Sequence, residues 1–263
     1  MISPKQIATN FISIGINKTS LPSCKLFALG IFAGIFIALA GAGSAIASCT
    51  IQDPSLARFV NALVFPAGLV MVLLAGSELF TGNSLIIISV LTKDVSLSAM
   101  IKNWIIVFIG NFVGSMFIVL TFVYGHIPSM FQEGLAQAMV ASATAKATLP
   151  FMDALLRGIL CNILVCIAVW VAAASTQAHG KIIALYLPIV VFVLCGFEHC
   201  IANMFCIPAG LFVASEYAIT STALTWSSFF ITNLIPVTIG NIIGGCMVGI
   251  GYWYIYLRDE MVA

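Results

Sequence analysis

The stretch Gly196-Phe197-Glu198-His199-Cys200-Ile201-Ala202-Asn203 breaks an otherwise apolar run, 182–215, and its reading decides the fold. A second stretch, Gly76-Ser77-Glu78-Leu79-Phe80-Thr81-Gly82-Asn83, breaks the run 60–92 in the same way. Gly, Glu and Asn recur at matching positions, 120 residues apart (198 − 78). Each run is about 33 residues long, more than one straight membrane span of ~20 residues requires. Unwound backbone cannot face lipid, because its N–H and C=O groups would go unpaired, so it must line a protein-walled cavity or watery path.

The rest of the chain agrees with a membrane setting. It has 263 residues, 62% hydrophobic and only 7% charged, and its mean hydropathy is +1.15. A soluble domain carries roughly 25% charged residues, so lipid must cover this much apolar side chain. A net charge of +1 provides no basic footprint for nucleic acid. The cysteines lie mostly in or beside apolar stretches and form no C-x-x-C pair, so they read as small buried hydrophobes without a metal site.

Six apolar stretches are long enough to span: 25–49, 60–92, 104–124, 154–176, 182–215 and 226–256. They fall into two halves of three. Gly110-Asn111 with Gly114 in the third matches Gly240-Asn241 with Gly244 in the sixth; Gly30 matches Gly158, and Gly34 matches Asn162. Three is odd, so the second half enters from the opposite face. The expected fold is therefore an all-α membrane protein with six transmembrane helices in an inverted 3+3 repeat, 25–124 and 154–256, with helices two and five broken. Small-x-x-x-small runs at Gly30/Gly34, Gly110/Gly114, Gly240/Gly244 and Gly245/Gly249 permit close helix approach.

Outside the channel domain, 25–257, the segment 1–24 places Ile7, Phe11 and Ile14 at helical spacing. It reads either as an amphipathic helix on the membrane surface or as a plain polar leader. Residues 258–263 form a short tail, and 134–149 has the alanine content of a short helix. Seven cations (Lys5, Lys18, Lys25, Lys93, Lys102, Lys181, Arg258) fall on one side and three (Arg58, Lys146, Arg157) on the other. That bias places both termini in the cytoplasm.

Ionisable residues converge on the two breaks. Away from the span ends only Glu78, Glu198 and His199 carry one, and such residues are costly at mid-membrane and mark function. Broken helices at corresponding positions of two halves point to a transport site, and half-helix N-termini suit an anion. His199 is the functional candidate. The glutamates are expected to bond loose N–H groups at the breaks, supported by Asn83 and Asn203, rather than to touch the permeant.

GFEHCIANMFCIPAG (196–210), AGSELFTGN (75–83) and RGILCNILVCIAVW (157–170) resemble the formate–nitrite transporter family, over nearly the whole chain. The resemblance implies a homopentamer in a bacterial cytoplasmic membrane, each protomer an aquaporin-like six-helix pore passing formate, nitrite or hydrosulfide without a cofactor. It implies that His199 is the central pore histidine, with Asn162 hydrogen-bonding near it. It also implies that Thr81 lies opposite, Lys146 in the outer vestibule, and Phe65, Leu69, Leu79 and Phe192 at two apolar constrictions. An apolar ring opposes a bare anion, which costs several kcal/mol or more to desolvate. An imidazole, with an ordinary pKa near ~6.5, is suited to lend the proton that makes the anion neutral. Channel and proton-coupled symporter share these motifs and differ in gating and rate. A water or glycerol pore lacks support, since neither half contains Asn-Pro-Ala. An intramembrane enzyme is disfavoured too, since neither G-x-S-x-G nor H-E-x-x-H occurs.

Overall fold

A computed structural model describes residues 1–261 of the chain, so two residues of the tail 258–263 lie outside the described residues. The first helix, α1 (Pro4–Ser20), starts at Ser3, whose hydroxyl accepts from the Gln6 N–H at 3.3 Å. Its apolar face is turned onto the protein. Ile7, Phe11 and Gly15 are buried, and Phe11 stacks on Trp170 with centroids 5.3 Å apart. Segment 1–24 is thus packed into the body of the molecule.

Next come α2 (Ser23–Ser48), α3 (Pro54–Val64) and α4 (Ala67–Ala75), the last two separated at Pro66, which has no N–H to continue the ladder. A tight 3-10 turn, Gly82–Ile86, leads into the short α5 (Ile87–Leu91). The first half closes with α6 (Leu97–Tyr124). The expected helix in the polar connection is α7 (Gly134–Ala147). Then follow α8 (Phe151–Ala172), α9 (Ala178–Leu194), α10 (Cys200–Glu216), a π-helical turn Ser228–Leu234, and α11 (Ile235–Tyr256).

Five helical runs among the described residues are long and apolar enough to cross a membrane: α2, α3 with α4, α6, α8, and the π-turn with α11. The run 182–215 is instead divided into α9 and α10, 17 residues each. Both breaks fall where the polar text lies, after Ala75 and after Leu194. Two boundaries lie further out than hydropathy suggests. Asp53 caps α3 through the Leu56 N–H at 2.7 Å, and Ser96 caps α6 through the Ala99 N–H at 3.2 Å. Such caps extend a helix through polar turns that precede its apolar run.

The closest helix pairs are α2 with α6 and α8 with α11. A Cβ added to Gly30 would lie 3.2 Å from the Gly110 Cα, and one on Gly158 would lie 3.2 Å from the Gly240 Cα. One on Gly114 would run into the Ile31 carbonyl oxygen, and one on Gly244 into that of Ile159. The small-residue stripes therefore act within the protomer.

Gly114→Ala and Gly244→Ala are each expected to destabilise by about 1–3 kcal/mol, since backbone must shift to admit the methyl. Gly251→Ala, whose Cβ would meet nothing within 4 Å, is the control. Thermal denaturation of the detergent-solubilised variants measures this, and three equal midpoints would refute it.

Candidate functional site

The chain unwinds twice, and each time a glycine starts the turn. Gly76 has φ 79 and Gly196 φ 69, left-handed conformations that cost glycine little. Beyond each glycine the backbone groups of the break need partners. At the first, the Glu78 N–H donates to the Leu29 carbonyl at 3.2 Å, and the Phe80 N–H donates to Asn111 Oδ1 at 3.0 Å. Asn111 Nδ2 in turn donates to the carbonyls of Glu78 at 2.9 Å and Gly30 at 2.8 Å.

The second break repeats this bond for bond. The Glu198 N–H donates to the Arg157 carbonyl at 3.3 Å, and the Cys200 N–H to Asn241 Oδ1 at 2.9 Å. Asn241 Nδ2 donates to the carbonyls of Glu198 at 2.9 Å and Gly158 at 2.8 Å. Asn111 and Asn241 therefore do what was expected of the glutamates. A carboxylate only accepts, whereas an amide both donates and accepts and so serves the C=O and N–H of one break together. The Gly-Asn-x-x-Gly text common to both halves was the available signal.

The carboxylates are held by side chains instead. Lys18 Nζ lies 2.7 Å from both Glu78 oxygens and 3.0 Å from Asn83 Oδ1, and Asn83 Nδ2 donates to Glu78 at 2.8 Å. Lys146 Nζ lies 2.8 Å from Glu198, and Asn203 Nδ2 donates to Glu198 at 2.7 Å. Asn103 and Asn233 complete the pattern by donating to the carbonyls of Lys18 at 3.1 Å and Lys146 at 2.9 Å. The helices α1 and α7 thus fill corresponding places, which Lys18, an ordinary-looking charge in the leader, did not reveal. The two copies differ in one respect. Lys18 has three acceptors, but Lys146 has one, and Asn203 Oδ1 is left without a partner.

Between the breaks, Thr81 Oγ1 and His199 Nε2 lie 2.9 Å apart, both side chains buried. His199 caps α10, its Nδ1 accepting from the Ala202 N–H at 3.1 Å. A nitrogen that accepts carries no hydrogen, so in this arrangement the neutral imidazole bears its proton on Nε2 and donates it to Thr81. Asn162 does not reach the ring. Its Nδ2 donates to the Thr81 carbonyl at 3.2 Å and the Asn241 carbonyl at 2.6 Å, and so fixes the residue that faces His199.

A cavity of about 570 Å³ reaches His199 and is lined also by Lys146, Glu198, Arg58 and Ser44. Phe65 and Phe192 also line it, edge to face with centroids 5.6 Å apart, and Phe192 lies 6.0 Å from the His199 ring. Leu69 and Leu79 are buried in the same apolar cluster as these rings.

Apolar helices, two helix breaks sealed by buried amides and a charged cavity ending at aromatic rings define an integral membrane transport protein. The chain belongs to the formate/nitrite transporter family, whose profile matches residues 5–254. It is 38% identical over 265 residues to "Uncharacterized transporter YrhG" of Bacillus subtilis, covering 98% of this chain and 94% of that protein. It is 35% identical over 276 residues to the formate channel FocA of Escherichia coli, covering 99% and 96%. A solved pentameric formate channel with formate bound superposes with a TM-score of 0.79 at 32% identity, covering 89% of this chain and 98% of that one.

Asn111→Leu and Asn241→Leu each orphan buried peptide groups, and each should cost about 2–4 kcal/mol. Thermal melts of the solubilised protein test this; a shift confined to one variant would contradict the equivalence of the breaks.

Proposed function

We propose that the protein is a membrane channel for small monovalent anions of weak acids, formate first, with nitrite and hydrosulfide as chemical relatives. The observation that carries this is the pairing of His199 with Thr81 beneath a cavity that also holds Lys146. Two solved or named relatives, the Escherichia coli channel and the formate-bound pentamer, support formate as the permeant and a homopentamer as the assembly. The matching bonds at the two breaks support six spans as an inverted 3+3 repeat. The cation bias supports termini in the cytoplasm, and the bacterial relatives support a bacterial inner membrane.

In this mechanism Lys146 draws the anion inward, and its single bond to Glu198 leaves ammonium hydrogens for the permeant. Phe65, Phe192, Leu69 and Leu79 make the apolar constrictions that exclude a hydrated ion. At the centre the Thr81 hydroxyl rotates away and His199 Nε2–H turns to the anion. Proton transfer to the anion requires an imidazolium, because a neutral imidazole does not give up its last proton to a carboxylate. Both ring nitrogens then carry hydrogen, and the Ala202 N–H must leave Nδ1. Crossing as the neutral acid is thereby coupled to loosening of the first turn of α10. A second reading keeps the anion charged, with His199 only a hydrogen-bond donor; the bond from Ala202 to Nδ1 favours it. A proton that crosses with each anion would make the same site a symporter.

Flux of formate into proteoliposomes against pH separates these readings. On the proton-transfer route wild-type flux rises as pH falls, because the imidazole must be protonated before it can give a proton to the anion, and His199→Asn abolishes that rise. A His199→Asn channel with unchanged flux and unchanged pH profile would remove His199 from the mechanism.

A further inference from the structure

Polar residues of α2 and α3 also line the cavity, on different helices from Lys146. Arg58 lines the cavity and is exposed. Its guanidinium lies over the second break: a Cβ on Gly196 would be 2.7 Å from Arg58 Nη1. Among the described residues Arg58 makes neither a hydrogen bond nor an ion pair. Glu198 is taken by Lys146 and Asn203, and the Asp53 carboxylate caps α3 through Leu56. An exposed guanidinium is thus docked against the second break with its fork unfilled.

A strip of polar groups leads inward from it. Asn61, one turn along α3, donates to Ser48 Oγ at 3.3 Å, and Ser48 Oγ donates to the Ser44 carbonyl at 2.8 Å. Ser44 is only 1% exposed, lines the cavity, and its Oγ has no partner. A buried hydroxyl without a partner is costly unless something visits it. One turn further down α2, Gly41 leaves room for the ring of Phe205, and the Phe65 ring is 4.0 Å from the position of its absent Cβ. The strip therefore ends at the Phe65–Phe192 gap.

We propose that Arg58 is a capture site for planar two-oxygen monoanions, passed along Asn61, Ser48 and Ser44 to that gap, and that it sets the preference for such anions over hydrosulfide. This rests on the anion-channel reading above and adds a specificity residue to it. A guanidinium presents two parallel N–H donors that match the two oxygens of a carboxylate or nitrite, whereas an ammonium acts as a point charge. Hydrosulfide has one heavy atom and gains nothing from the fork. Lys146 attracts any anion; Arg58 selects by shape.

The test measures initial uptake of formate and of hydrosulfide into proteoliposomes, against concentration, for wild type, Arg58→Gln, Arg58→Lys and Ser44→Ala. Arg58→Gln is expected to raise the half-saturating formate concentration about threefold to fivefold, the range open to an exposed charge pair, with the maximal rate changing proportionally less. Arg58→Lys, which keeps the charge and loses the fork, is expected to leave hydrosulfide uptake at the wild-type level and formate impaired. Ser44→Ala should lower the maximal formate rate. Half-saturation unchanged in Arg58→Gln, or formate fully restored in Arg58→Lys, overturns the capture site, and a wild-type formate rate in Ser44→Ala overturns the strip. A wild-type protein that passes no formate sinks the channel reading instead, so the two failures are distinguishable.

Discussion

Everything in this molecule depends on how it satisfies peptide groups that have left the helix in a lipid setting. Each unpaired N–H or C=O there costs several kcal/mol. One asparagine per break answers that cost, because its amide meets both an N–H and a carbonyl. Asn111 and Asn241 are fully buried and come from the neighbouring long helices α6 and α11, so each break is pinned to a rigid element. Their placement requires α6 and α11 to lie close against α2 and α8, which the glycine contacts allow. Close packing and broken helices are one design seen from two sides.

The near-identity of the two breaks makes their differences informative. The position matching His199 is Leu79, and the position matching Thr81 is Ile201. Polar chemistry is thus placed once in each half, at different positions, and the fold brings the two together at 2.9 Å. The lysines differ as well. Lys18 is satisfied by three acceptors and holds α1 against the first break, as a structural clamp would. Lys146 is held by one, faces the cavity and has hydrogens to spare. Two matching breaks carry an asymmetric site.

The N-terminal helix illustrates how far tertiary packing can change the meaning of a segment. Its apolar residues at helical spacing fit a membrane-surface helix, yet Phe11 stacks on Trp170, which stacks on Tyr252 at 4.0 Å. A Cβ on Gly15 would run into the Ser89 side chain, so the helix approaches as closely as backbone permits. Its aromatic partners are supplied by α8 and α11, over 150 residues away in sequence (170 − 11 = 159). No local pattern announces such a contact.

The sequence alone determined the membrane setting, because apolar content that high has no aqueous solution, and it located both breaks, because Gly and Glu inside a 33-residue apolar run resist any other reading. It also exposed the Gly-Asn-x-x-Gly text shared by α6 and α11, and singled out His199 as a costly intramembrane imidazole. Only the tertiary structure decided which groups seal the breaks, since a side-chain amide and a carboxylate look equally suited until donors and acceptors are paired in space. The same holds for Asn162, which grips the Thr81 backbone rather than the imidazole, and for Lys18, whose partner is 60 residues away. Hydropathy and spacing report what each stretch must avoid. Which partner each polar group finds is settled by long-range packing, to which those local signals are blind.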